Sequence, residues 1–233
     1  MVKDLGVLFS PDLTFKVHID KMVKGTNKLI GWVFRTFRAR SVRVMMTLWR
    51  SLIQPKLDYC SQLWSPADAK TINLLEDIQC QFTSRIFGMK DLDYWERLSD
   101  LKLYSQERRR ERYAIIFIWK CAVGLVDGYT VNFHHNPRRG RLCLVRPINK
   151  NAPLQVKRAS EASFEVRGAR LFNLLPRDVR NTDLTHTNSV IPFKTRLDNY
   201  LSSIPDQPTV QSRRRPAGTN SLLDQIPMTV KSL

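Results

Sequence analysis

The sequence predicts a mostly α-helical protein: a helical bundle over residues 15–128, a small α+β subdomain over 129–203 and a disordered tail over 204–233. Three observations carry this expectation. Apolar residues recur at helical spacing through the first half. Prolines and glycines become frequent after Gly128, where short β-like runs appear. The tail combines Pro205, Pro208, Pro216 and Pro227 with Arg213-Arg214-Arg215, a composition that resists packing. At 233 residues, 42% hydrophobic and 25% charged, the chain is globular in composition and long enough to bury a core.

The first helix is expected between Ile19 and Phe37. Ile19, Met22, Val23, Ile30, Val33, Phe34 and Phe37 share one face, and Lys21, Lys24, Lys28, Arg35 and Arg38 the opposite one. A second helix is predicted over about Ser41 to Leu57, with Ser41 as its cap, Val42, Met45, Trp49, Leu52 and Ile53 buried, and Pro55 kinking or ending it. A third should run from Pro66 to Phe87, burying Ile72, Leu75, Ile78, Phe82 and Ile86 and stopping at Gly88. Helices over Tyr94–Asp100 and Tyr104–Leu125 follow. Beyond Gly128 the β-like runs are Leu142–Arg146 and Phe164–Val166, with short helices over Arg167–Leu175 and Ser189–Leu201.

Charge is the strongest functional signal. Lys and Arg number 38 against 21 Asp and Glu, a formal net charge of +17 that suits a polyanionic partner. From Phe15 to Lys56 ten basic residues face one acidic residue, Asp20. A solvated helix face normally mixes signs, so this stripe reads as a phosphate-contacting surface. Trp32, at its edge, suits stacking on a base or sugar, or packing beneath a neighbouring helix. Arg138, Arg139 and Arg141, in a Pro/Gly-rich loop, are further backbone-contact candidates. Arg108, Arg109, Arg110 and Arg112 fit either phosphate contact or local ion pairing with Glu107 and Glu111.

Other chemistries find little footing. The longest apolar run, Ala114–Trp119, is too short to span a bilayer, and no membrane partner is expected. No GxSxG, P-loop, GxGxxG or HExxH occurs. Asp91 and Asp93 beside Tyr94 read as a turn rather than a two-metal site. His134 and His135 with Cys143 lack metal-finger spacing and read as a turn before Asn136-Pro137, so no metal or cofactor is expected. Cys60, Cys80, Cys121 and Cys143 form no CxxC pair. Such cysteine use suggests an intracellular setting, cytoplasmic or nuclear.

An ordered series of blocks gives a sharper expectation. Asp4-Leu5-Gly6-Val7, Leu48 to Tyr59, Leu63-Trp64-Ser65-Pro66 and Leu75 to Thr83 are followed by Arg108-Arg109-Arg110, Arg167 to Pro176 and Phe193-Lys194. Together they resemble the thumb and post-thumb region of reverse transcriptases from LINE-type (non-LTR) retrotransposons, particularly jockey-like and CR1-like elements, over about residues 3–201. The resemblance implies a helical thumb-like domain over 15–128. It also implies a remnant of the post-palm primer-seating turn over 1–14, centred on Leu5 and Gly6. The family's polymerase aspartates lie in a Phe/Tyr-x-Asp-Asp motif, and this sequence holds no Asp-Asp pair. The expectation is a fragment that binds RNA or an RNA–DNA duplex without catalysis. The alternative is a transposon-derived module that packs with a helical partner or another copy of itself.

Overall fold

Helical periodicity is realised as helices, some of whose starts are set by side-chain caps, whereas Ser41, the expected cap of the second helix, makes no side-chain cap bond. The structure, a computed structural model, describes residues 1–12, 14–127, 133–136, 141–144, 151, 153, 154, 156, 157, 160, 163–180, 189–208 and 220–231. Its elements in order are strands β1 (Val2–Asp4) and β2 (Val7–Phe9), helices α1 (Lys16–Thr36) and α2 (Val42–Leu48), a π-helical turn (Trp49–Ile53), and helices α3 (Gln54–Asp58), α4 (Ser61–Trp64), α5 (Ala69–Thr83), α6 (Tyr94–Asp100) and α7 (Gln106–Ala122). Strands β3 (Phe133–Asn136) and β4 (Arg141–Leu144) follow, then helices α8 (Phe164–Leu174), α9 (Ile191–Ser202) and α10 (Leu222–Lys231). The fold is mostly α, as the sequence predicts. No helix among the described residues is long and apolar enough to cross a membrane.

Contacts divide the chain into two units: Met1–Arg110 with Asp206–Thr219, and Glu111–Pro205 with Asn220–Leu233. In the first, β1 and β2 form an antiparallel hairpin in which Asp4 pairs with Val7. Leu5 and Gly6 make its two-residue turn with φ of 42° and 86°. Both values are left-handed, which glycine tolerates and leucine resists. Tyr59 holds the strained turn by donating its hydroxyl to the Leu5 carbonyl at 2.8 Å.

The core of this unit collects Ile19, Ile30 and Val33 from α1, Met45, Trp49 and Ile53 from the α2 region, and Leu75, Ile78 and Phe82 from α5. Fully burying each aliphatic side chain contributes about 1.5–3 kcal/mol. Pro55 neither stops nor breaks its helix. Lacking an N–H and crowding the carbonyl one turn back, it follows a widened turn, in which the Gln54 N–H donates to the Trp49 carbonyl. The chain then stays helical to Asp58. Helix α5 starts at Ala69 rather than Pro66 because the Asp68 carboxylate accepts the Thr71 N–H at 3.0 Å. It ends at Thr83, short of Gly88. Asp93, one of the closely spaced loop carboxylates, is the cap of α6: it accepts from Trp95 and Glu96 backbone N–H groups while Glu96 accepts from its own.

His18 is buried on α1, accepts the Leu8 N–H at Nδ1 (3.4 Å) and lies 5.8 Å from the Trp64 ring. Burial pushes its pKa down. The unfolded chain therefore takes up a proton near pH 6.5 that the fold resists, so stability falls as pH drops through the window below that value. Urea midpoints measured at about pH 7 and about pH 5.5 should differ in the wild type, and His18→Asn should shrink the difference. An undiminished difference in the variant would assign the pH response elsewhere.

In the second unit, Ile115, Ile118 and Trp119 of α7 pack with Leu171 and Phe172 of α8, Phe193 and Leu197 of α9, and Leu222 and Ile226 of α10. The Trp119 and Phe193 rings stack at 4.7 Å and 8°. Gly168 sits where α8 meets α7, and a Cβ there would lie 2.7 Å from Ile118 Cγ1. Alanine is the better helix former by about 1 kcal/mol, yet the overpacking should win. Gly168→Ala is expected to lower stability by about 1–2 kcal/mol. In a double-mutant cycle with Ile118→Ala the pair should cost less than the sum of the singles.

Four expectations need correction here. Phe164–Val166 is the first turn of α8, not a strand, because the Ser163 side chain accepts the Val166 N–H. Arg141 opens strand β4 rather than lying in a loop. His134 and His135 belong to β3, where His134 is paired with Cys143 and His135 with Leu142. Finally, the expected disordered tail contains α10, whose Leu222 and Ile226 are buried one turn apart. The same tail also contains Asp206, whose role is described below.

Candidate nucleic-acid interface

Helix α1 presents its basic residues by periodicity alone. At about 100° per residue, Lys21, Lys24, Lys28, Trp32 and Arg35 fall within an arc of about 80° and span about 21 Å of the helix axis. His18, Ile19, Thr26, Ile30 and Val33 are buried on the other side. Lys21, Lys24, Lys28 and Arg35 are all exposed, and none pairs with a carboxylate among the described residues. Trp32 is 47% exposed, its ring edge-on to Phe37 at 6.2 Å, so it is not covered by a neighbouring helix.

Arg38 is exposed but does not continue the helical stripe. Phe37 turns extended, at φ −100° and ψ 107°, and ends α1 before it. Arg138 and Arg139 lie outside the described residues. Arg141 stands in the second unit at the start of β4, across from Asn136. Leu5 and Gly6 do form a turn, and Leu5 is 81% exposed at its tip.

The Arg108–Arg112 cluster is committed to the fold. Its partners are remote in sequence, so the pairing is tertiary rather than one helical turn away. Arg108, fully buried, has its Nε 3.9 Å from Asp206 Oδ1. Arg109 meets Asp58 at 2.9 Å, with its Nε shared between both carboxylate oxygens. Arg112 grips Asp198 with two bonds, at 2.5 and 2.6 Å. Glu111 accepts the Ser221 hydroxyl and the Leu222 N–H, capping α10. Bidentate guanidinium–carboxylate pairs of this kind are specific in geometry as well as strong.

The N-terminus of α7 is satisfied by two imported carboxylates. Asp206 accepts the Ser105 N–H at 2.7 Å and the Ser105 hydroxyl at 2.8 Å, while Ser105 Oγ accepts the Arg108 N–H. Glu76 accepts the Gln106 and Glu107 N–H groups at 3.1 and 2.8 Å, and the Tyr94 hydroxyl at 2.5 Å. These bonds meet the unpaired donors and positive end of the helix. Burial nonetheless pushes the Glu76 pKa up, against the pull of Tyr94 and Arg110.

Two basic residues are brought together only in three dimensions. Arg40 and Arg85 lie 5.4 and 5.0 Å from the centre of the Phe34 ring. They are far apart in sequence, and no periodicity connects them. Among the described residues, no group of three or more His, Cys, Asp or Glu side chains is placed to hold a metal ion. No protein-family model, no curated protein and no solved structure matches this chain.

Proposed function

We propose that this chain is the thumb and post-thumb part of a LINE-type reverse transcriptase, which binds the backbone of RNA or of an RNA–DNA template-primer without reading its sequence. The activity proposed is binding, not catalysis, in an intracellular setting. The observation that carries the reading is the α1 face: an exposed row of lysines and an arginine with no carboxylate partner among the described residues. The cations of the Arg108–Arg112 cluster find carboxylates, as Arg108, Arg109 and Arg112 do. Cations left in water suit phosphates, whose neutralisation releases counterions. Binding to a blunt RNA duplex, measured across a salt series, tests the proposal. Affinity should fall steeply with salt and survive changes of sequence.

A second reading has its own support. Val2, Leu5 and Tyr59 are exposed on or beside the N-terminal hairpin, an apolar group suited to a helical partner or a second copy. Association through it would be nearly insensitive to salt, which separates the two readings in the same titration.

A further inference from the structure

We propose that an unpaired RNA strand stacks one base on Phe87 and sets its flanking phosphates on Arg40 and Arg85. Phe87 is 82% exposed, more than Trp32 or Tyr59. Its position is nonetheless built. The Phe87 N–H donates to the Arg40 carbonyl at 2.9 Å, and the Met89 N–H to the Ile86 carbonyl at 3.1 Å. Ile86 and Met89, on either side of it, are buried. The ring therefore stands on a fixed turn, and a base that stacks there orders little that is not already ordered.

Charge selects the occupant. Arg85 is two residues before Phe87, and Arg40 is tied to it by the backbone bond. Both are exposed, both lie over the Phe34 ring, and neither pairs with a carboxylate among the described residues. A guanidinium over an aromatic ring keeps planar N–H donors suited to phosphate oxygens. An apolar protein partner covering Phe87 would have to desolvate both guanidiniums. A nucleotide offers a flat π-face for the ring and anions for the arginines, the pairing that single-strand binding surfaces use.

The inference rests on the reading of this unit as a nucleic-acid-binding domain, but it can fail separately. The test compares a short oligouridylate with a blunt RNA duplex, using Phe87→Ala, Phe87→Tyr and the pair Arg40→Gln/Arg85→Gln. Phe87→Ala should bind the oligouridylate about ten-fold more weakly with an unchanged salt slope, and Phe87→Tyr should restore it. The arginine pair should lower the slope for the oligouridylate by about 1.5. Equal oligouridylate affinity in wild type and Phe87→Ala overturns the proposal, as does an equal loss on duplex and single strand. Loss of duplex binding on reversal of the α1 lysines bears on the broader reading and leaves this comparison intact.

Discussion

Replacing Asp206 with alanine should cost the first unit about 3 kcal/mol, a large effect for one half-buried side chain. Asp206 is 19% exposed, yet it accepts from two donors at the start of α7, the Ser105 N–H and the Ser105 hydroxyl, and lies 3.9 Å from Nε of the fully buried Arg108. Its loss removes the charge beside a buried guanidinium and a helix cap together. Caps alone are worth about 1 kcal/mol, and breaking a buried ion pair costs more. Asp206→Asn keeps an acceptor for the Ser105 N–H but removes the charge, so it should fall between wild type and alanine. Urea unfolding at neutral pH reads all three. A midpoint in Asp206→Ala equal to wild type would show that the contact contributes nothing, whereas a change in slope would signal an altered unfolded state.

Reversing Lys21, Lys24 and Lys28 to glutamate should weaken binding to an RNA duplex by on the order of 100-fold at low salt and reduce the salt slope by about 2 to 3. Each phosphate contact contributes roughly 0.7–0.9 to that slope, so three lost contacts account for the change. The substitutions touch only exposed positions on α1 and should alter stability by less than about 1 kcal/mol, which a thermal melt of the same variant checks. A wild-type slope in the triple variant would remove the α1 face from the interface and, with it, the main support for backbone binding.

Much of this molecule is legible locally. The buried side of α1 at Ile19, Ile30 and Val33 and the buried Ile72, Leu75, Ile78 and Phe82 of α5 follow from apolar spacing, because a helix converts a period in sequence into a face in space. The exposed lysine row is the same argument in reverse. Caps at Asp68, Asp93 and Ser163 set the exact starts of α5, α6 and α8, and they act within a few residues. Reading Phe164–Val166 as a strand missed the Ser163 cap beside it. Expecting disorder after residue 204 weighed prolines above Leu222 and Ile226, which are spaced for a helix.

The arginines divide what the sequence by itself determined from what only the tertiary structure decided. Net charge and its concentration on α1 are properties of residues and their spacing, and they stand without any packing. Whether a given cation faces water or a carboxylate is not. Arg108, Arg109 and Arg112 fit phosphate contact or pairing with Glu107 and Glu111 along the chain, yet the remote Asp206, Asp58 and Asp198 meet them. Arg40 and Arg85 look unrelated, yet they lie over one ring. Such pairings depend on elements brought together across long stretches of chain, where Coulomb attraction acts through space and carries no period in sequence.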